Sequence, residues 1–400
     1  ELARADPEWF GIALATTDGH VYEAGDTRQA FTIQSISKAL TYGLALEDRG
    51  LEAVLARIGV EPSGDAFNSI SLAPDSGRPL NPMINAGAIA ATSLVAGRSA
   101  ADQLGRLLAV YSLYAGRQLD VDQAVYESES ATGHRNRAIG HMLRNFDIIE
   151  GDPEPALDLY FRQCSVSIGC RDLSLIAATL ANGGVNPVTH EQAVRGEFVE
   201  RILSVMTTCG MYDSAGEWMY SVGLPAKSGV SGGLMVVLPG QLGIGVFSPR
   251  LDSHGNSIRG LRVCQDLSRE CELHVVRVAR SARSAIRRHY TLSTVRSKRM
   301  RPPIESEALT ELGNRAAIYE LQGELLFAAM EAVVRAIVAQ NDKVRLVVLD
   351  LGRVSTVCEP AARVLLELLR CMEASGQRLV LVGVQQQHPR LLRYLQERTA

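Results

Sequence analysis

Short apolar runs broken by turn residues open the chain. Phe10–Ala15, the Asp18-Gly19 pair and His20–Glu23 read as a β-hairpin. Phe31–Gln34 then runs into Ile36–Leu46, where apolar residues recur at helical spacing up to a stop near Gly50. This pattern predicts Ser35 at a helix N-terminus with Lys38 one turn later on the same face. Residues 63–90, rich in Ser, Pro, Asn and Gly, read as an ordered loop region. Helical spacing returns in several stretches, among them Ala101–Tyr111, Asn136–Leu143 and Asp172–Ala181. Beyond Gly210 the pattern turns to strands, Leu234–Leu238 and Leu242–Phe247, joined by Pro239-Gly240.

The last hundred residues alternate. Ala317–Leu321, Val344–Asp350 and Arg378–Val384 read as strands, with helices over Leu325–Gln340, Glu359–Ala374 and Pro389–Arg398. Three β-then-α units in so short a span imply a small α/β domain with a largely parallel sheet. Between the two regions, Val275–Ile304 holds nine Arg or Lys residues and no acidic one, and closes on Pro302-Pro303. It reads as a solvated, basic interdomain linker. The expected organisation is therefore residues 1–276 as a first domain, 277–304 as linker and 305–400 as a second domain.

Composition narrows the function classes. A 400-residue chain with net charge −3 has no global attraction for nucleic acid or anionic membrane. No apolar run approaches the ~18 residues of a membrane span, and no secretory or transit segment opens the sequence. The seven cysteines are scattered, with no CxxC pair and no HExxH, so neither a disulfide framework nor a metal site is expected. A reduced, cytoplasmic, cofactor-free protein is the resulting expectation. Of the 41 basic residues only Lys38, Lys227, Lys298 and Lys343 are lysines. Arginine serves for surface charge throughout, and arginine cannot give up its proton, whereas a buried lysine can become a neutral base.

Two of those four lysines fall in candidate chemical motifs. Ser35-Ile36-Ser37-Lys38 is S-x-x-K, in which a neutral lysine one helical turn away can take the serine proton. Ser37, next to Lys38, points elsewhere on the helix, so Ser35 is the preferred nucleophile. Lys227-Ser228-Gly229 is K-[ST]-G, followed by small residues that let backbone approach a bound group. The two motifs occur together, in this order, in β-lactamases and penicillin-binding proteins. The third element of those enzymes, S-x-N or Y-x-N, occurs nowhere in the chain. A relative of that fold acting on another substrate is implied.

The flanking segments give the resemblance. Gln34–Lys38, Asn81–Ile89, Ser128-Glu129, Arg135–Ile139, Leu157–Ser165, Cys209–Asp213 and Gly223–Val230 together closely resemble the serine-dependent glutaminase family. That resemblance implies an α+β, β-lactamase-like catalytic domain: an antiparallel sheet flanked by helices, plus a helical subdomain. It implies hydrolysis of L-glutamine to L-glutamate and ammonia, and a homo-oligomer, dimer or tetramer. Carried over position by position, it makes Ser35 the nucleophile and Lys38 the general base. Ser35, Asn85, Glu129, Asn136, Tyr160, Tyr212 and Val230 become the substrate-contacting set. Tyr160 or Tyr212 can relay a proton to the departing ammonia, with Tyr160 placed among the catalytic residues, and the backbone N–H groups of Ser35 and Val230 form an oxyanion hole. Ser37, Lys227, Ser228 and Gly229 take supporting roles. A further family tyrosine belongs upstream of the first hairpin, before Glu1, which leaves one wall of the pocket unaccounted for. A catalytically degenerate glutamine or amide sensor is the alternative, disfavoured by the intact Ser35, Lys38 and Lys227.

Residues 305–400 resemble the STAS family, carried by Leu346–Leu351, Val354–Val357 and the helix after them. Its implied role is regulatory, through a protein partner or a nucleotide ligand. At the position of the phosphorylatable serine of kinase-responsive members stands Glu359, in Cys358-Glu359-Pro360-Ala361. A negative charge there suits a helix N-terminus, as a cap or as an imitation of phosphoserine.

Overall fold

Strands β1 (Gly11–Thr16) and β2 (Val21–Gly25) form the expected hairpin, with Gly11 opposite Gly25 and Ala15 opposite Val21. The second strand starts one residue late because the Thr16 N–H donates to the His20 carbonyl across the turn, at 2.9 Å. A two-strand ribbon, β3 (Phe31–Thr32) with β4 (Ser167–Ile168), precedes the first helix. Strands β5 (Ala226–Ser228), β6 (Gly233–Leu238) and β7 (Leu242–Phe247) complete a five-stranded antiparallel sheet in the order β2-β1-β7-β6-β5.

The structure is a computed structural model and describes residues 2–64, 70–276, 285–296, 299–340, 343–384, 388 and 391–395. Lys298 and both ends of the expected helix Pro389–Arg398 lie outside the described residues, as do residues 65–69 of the expected loop region. The described residues divide into two compact units, the first comprising the chain to Arg269 with residues 273–276, the second Glu270–Glu272 with the chain from Ala285 onward.

In the first unit, eleven helices surround the sheet: α1 (Ser37–Arg49), α2 (Leu51–Leu55), α3 (Asn85–Ser93), α4 (Ala100–Ala115), α5 (Gln123–Thr132), α6 (His134–Asn145), α7 (Glu154–Cys164), α8 (Cys170–Ala181), α9 (Gly196–Cys209), α10 (Ala215–Ser221) and α11 (Ile258–Glu270). Every residue of β6 and β7 is buried, which is why these strands read as continuous apolar runs rather than alternating ones. Helix α8 lies directly on β7. A Cβ on Gly243 would stand 2.2 Å from the Ala178 nitrogen, and one on Gly245 2.7 Å from the Ser174 nitrogen, so glycine sets how closely helix and sheet approach. Caps start the helices where polar residues precede apolar runs: Ser99 accepts from Asp102 N–H at 3.2 Å before α4, and Asp122 from Val125 N–H at 3.0 Å before α5. The last residues of the expected 63–90 loop are in fact the start of α3.

The second unit carries β8 (Ile286–Thr291), β9 (Ala316–Leu325), β10 (Leu346–Val357) and β11 (Arg378–Val382), in the order β11-β10-β9-β8. The three later strands are parallel, as expected, and β8 joins the edge antiparallel to β9. Helices α12 (Pro303–Leu312), α13 (Phe327–Val338) and α14 (Glu359–Ala374) accompany them. Val347, Leu349 and Leu351 of β10 pack in one core with Val333 of α13 and Leu365 of α14. The linker expectation needs correction here: within residues 277–304, Ile286–Thr291 is a sheet strand and Pro303 already opens α12. Its middle residues Arg287, Arg288 and His289 are exposed and basic, which hides the usual alternation and guards an edge against unwanted pairing. Strand β10 also outruns its expected end at Asp350, through irregularities between Asp350 and Arg353 and between Val354 and Thr356. Glu359 opens α14, and its carboxylate pairs with Arg363 one turn on, at 2.8 Å. Among the described residues no helix is long and apolar enough to cross a membrane.

Candidate active site

Ser35 lies in a single 3₁₀ turn, Gln34–Ile36, that passes straight into α1. The turn is entered through Gln34 at φ 48°, a left-handed conformation that a non-glycine residue adopts at a cost of about 1–3 kcal/mol. Surrounding contacts hold it there. The Ile33 N–H donates to the Val166 carbonyl at 2.8 Å, and the Gln34 amide donates to Thr32 Oγ1 at 3.2 Å. Ser35 is 9% exposed and, like Gln34 and Ile36 on either side of it, buried.

Lys38, on the first turn of α1, is fully buried. Its Nζ donates to Asn85 Oδ1 at 2.6 Å, and Asn85 Nδ2 donates to Asn136 Oδ1 at 2.9 Å. Asn85 starts α3 because Asn81 Oδ1 accepts from the Met83 and Ile84 N–H groups, at 3.0 and 3.2 Å, and turns the chain into the helix. Burial lowers the Lys38 pKa from 10.5 to about 7, only partly opposed by the neighbouring Cys164. A lysine so poised is largely a neutral base just above neutrality.

Tyr212 joins the two. It follows α9 at φ 54°, a second left-handed non-glycine residue. Its hydroxyl faces the Ser35 side chain and stands 3.5 Å from Lys38 Nζ. Burial raises its pKa, opposed by Ser35. On the ring face sits the second motif lysine: Lys227 Nζ lies 3.9 Å from the Tyr212 ring centroid and donates to the Ser228 carbonyl at 2.9 Å. Lys227 is also fully buried, and burial first, then the charge of Lys38, hold its pKa far below the ordinary value. Two ammonium groups cannot share this space, so the pair carries at most one charge.

Strand β5 ends at Ser228, and Gly229-Val230 turns back toward β6, closed by Gly229 N–H to the Gly233 carbonyl at 2.9 Å. A Cβ on Gly229 would meet the Ile33 carbonyl at 3.1 Å and Gln34 Cβ at 3.4 Å. The Val230 turn is thus adjacent to the turn that carries Ser35. On the opposite side, α5 presents Glu129 and α7 presents Tyr160. Glu129 is half-buried and hydrogen-bonds Gln34; burial raises its pKa, against the effect of that bond. Tyr160 is 3% exposed, and its hydroxyl meets the Cys164 thiol one turn along α7.

The structure therefore brings Ser35, Lys38, Asn85, Asn136, Tyr212, Lys227 and Ser228 into one connected group, with Gly229, Val230, Glu129 and Tyr160 around it. Sequence reasoning missed one close neighbour, Cys164. Its thiol lies beside Tyr160, Ser37 and Lys38, and burial pushes its pKa up to about 12, so it stays neutral. Its position at i+4 from Tyr160 was the available signal.

Residues 1–276 match the family model described as Glutaminase, and residues 308–396 match that of the STAS domain. Glutaminase 2 of Bradyrhizobium diazoefficiens is 47% identical over 96% of this chain and 62% of its own length. A glutaminase of Trichormus variabilis is 58% identical over 69% of this chain and 82% of its own. A solved structure described as Mglu is 42% identical, with a TM-score of 0.68, covering 95% of this chain and 90% of its own. Another, described as the probable glutaminase ybaS, is 42% identical with a TM-score of 0.67, covering 68% of this chain and 89% of its own. The chain spans about three-fifths of the length of the two Bradyrhizobium relatives it matches. The architecture is that of the β-lactamase-like glutaminase structures, with a STAS domain at the C-terminus.

Proposed function

This chain belongs to the glutaminase family, and from that premise we propose that it hydrolyses L-glutamine to L-glutamate and ammonia through an acyl-enzyme on Ser35. The observation that carries the reading is the Tyr212 hydroxyl, facing Ser35 and 3.5 Å from a lysine whose pKa is about 7. Neutral Lys38 takes the Ser35 proton by way of that hydroxyl as Ser35 Oγ attacks the side-chain carboxamide carbon. The negative charge that develops on the carboxamide oxygen is met by the N–H groups of Ser35 and Val230, a role favoured by the helix start and the close approach at Gly229. Collapse breaks the C–N bond. The proton held by Lys38 returns through Tyr212 to the nitrogen, which leaves as ammonia. Neutral Lys38 then takes a proton from water as its oxygen adds to the ester carbonyl, and collapse breaks the C–O bond, the Lys38 proton returning to Ser35 Oγ as glutamate leaves.

Tyr212 suits the relay better than Tyr160, since the Tyr160 hydroxyl is engaged by Cys164 rather than by Ser35. Tyr160 fits a substrate-contacting role. Glu129, half-buried beside Gln34, is the group to pair with the substrate ammonium, and Asn85 with Asn136 offers amide donors and acceptors to the rest of the amino acid. Regulation is the corresponding proposal for the STAS domain, in which the acidic residue at the start of α14 is engaged by Arg363.

Ser35→Ala tests the reading. Ammonia release from glutamine should fall by at least about 10³-fold while L-glutamate binding persists. Undiminished turnover would remove Ser35 as nucleophile. Asparagine and a penicillin-type lactam, assayed alongside with the wild-type chain, should not be hydrolysed at comparable rates.

A further inference from the structure

Beneath the first turn of α1 lies a polar cluster that the steps above do not use. Ser37 and Thr41 of α1, Thr92 of α3, Tyr111 of α4 and Gln163 of α7 are each 0% exposed. Polar groups this deep are retained only if hydrogen-bonded, and these are. Gln163 Oε1 accepts from Thr41 Oγ1 at 2.8 Å and lies 3.0 Å from Thr92 Oγ1. Gln163 Nε2 donates to Ser37 Oγ at 3.4 Å, and Ser37 Oγ donates to the Gln34 carbonyl at 2.6 Å. Thr41 Oγ1 and the Tyr111 hydroxyl are 2.6 Å apart.

A hydroxyl has one proton, so these directions are linked. Ser37 gives its proton to Gln34 and must accept, and Gln163 is the donor that reaches it. Thr41 Oγ1 reaches both Gln163 Oε1 and the Tyr111 hydroxyl, and Tyr111 in turn reaches the Ser37 carbonyl at 3.0 Å. The chain runs from Tyr111 through Thr41, Gln163 and Ser37 to the carbonyl of Gln34. It ends on the residue at φ 48° that immediately precedes Ser35. One amide also ties together the helices that carry Lys38, Asn85 and Tyr160.

We propose that Gln163 is a positioning residue for the nucleophile: its amide orders the buried hydroxyl chain that holds the left-handed Gln34 turn, and so keeps Ser35 against Tyr212 and Lys38. The proposal rests on the Ser35 acyl-enzyme reading. Gln163→Leu keeps the volume but takes the amide N–H from Ser37 and the amide oxygen from Thr41 and Thr92. Ser37 then rotates, and the turn before Ser35 loses its brace. A misplacement of about 1 Å at a reacting atom costs about 100-fold in rate.

The test compares the wild-type full chain with Gln163→Leu and Gln163→Glu, by initial rates of ammonia release from glutamine and by calorimetric binding of L-glutamate. Gln163→Leu should lower kcat about 10- to 100-fold, with KM and glutamate affinity little changed. Gln163→Glu restores the chain only while its carboxyl is protonated, when it accepts from Thr41 and donates to Ser37. Its kcat relative to wild type should be close to one in acid and fall as pH rises, adding an ionisation that wild type lacks. That pH-dependent rescue separates positioning from mere packing, and it remains readable should Gln163→Leu fail to fold. Wild-type kcat in Gln163→Leu, a loss confined to KM, or a Gln163→Glu-to-wild-type ratio that does not change with pH would each overturn the proposal. A wild-type chain that releases no ammonia would instead overturn the reading beneath it.

Discussion

Replacing Lys38 by methionine should make the N-terminal unit more stable at neutral pH while removing its activity. A fully buried lysine held at about 7 instead of 10.5 carries a penalty that follows from proton linkage. Between those two values the unfolded chain binds a proton that the native state does not, so native stability rises with pH across this window and is lost as pH falls toward 7. At 1.36 kcal/mol per pKa unit, the penalty is about 4 kcal/mol at pH 7 and about 2 kcal/mol at pH 9. Methionine fills a similar volume without the charge, but it leaves Asn85 Oδ1 without the donor now 2.6 Å away, which costs about 1–3 kcal/mol. The net gain at pH 7 is then about 1–3 kcal/mol, and at pH 9 it nearly vanishes. The difference between the two pH values, about 2 kcal/mol, is the sharper quantity, because the Asn85 contribution cancels in it.

Both tryptophans, Trp9 and Trp218, lie in the first unit. Urea unfolding followed by tryptophan fluorescence therefore reports on that unit. Wild type and Lys38→Met would be compared at pH 7 and pH 9, with ammonia release measured on the same preparations. Lys227 remains in the variant, relieved of the Lys38 charge that helps depress it, and this acts in the same direction. A stability difference that is unchanged between the two pH values, or a variant less stable than wild type at pH 7, would show that Lys38 is not held neutral by burial.

The same poise sets the rate profile: kcat/KM for glutamine should climb with unit slope in acid and level off above a pKa near 7, where Lys38 has lost its proton. A flat profile from pH 6 to 8 would contradict a lysine base. Glu129→Gln should raise KM for glutamine by about 10- to 100-fold, the worth of a charge-assisted pair of about 1.5–3 kcal/mol, with kcat much less affected; steady-state kinetics that show the loss in kcat alone would move Glu129 from binding to chemistry.

Much of this site was legible because its residues sit in short motifs whose spacing matches one helical turn or one strand end. Ser35 and Lys38 share a helix start, Lys227 and Gly229 share a strand edge, and Asn85 opens α3 just after the Asn81 turn. Gln163 and Cys164 were not legible in the same way. The partners of Gln163 are 71 to 126 positions away in the chain, and a lone glutamine or cysteine in an amphipathic helix carries no pattern of its own. The edge strand Ile286–Thr291 was hidden for a different reason. A strand that shows charged residues on its exposed positions and borders a Pro-rich stretch has the composition of a linker, and only its pairing with β9 distinguishes it.

The scarcity of lysine finds its physical reason at Tyr212. Both motif lysines are fully buried, while Lys343 is exposed. They approach the same side chain from different directions, Lys38 toward the hydroxyl at 3.5 Å and Lys227 over the ring face at 3.9 Å from its centroid. Arginine fits neither place. Its guanidinium cannot discharge, so at Lys38 it would end base catalysis, and at Lys227 it would bring a second permanent charge into a space that tolerates one. Lys227 donates to the Ser228 carbonyl, fixes the end of β5 and lies over the Tyr212 ring that faces Ser35. Burial first, then Lys38, lowers its pKa well below the ordinary value, which disfavours a second cation beside Lys38 as that residue takes up and returns its proton.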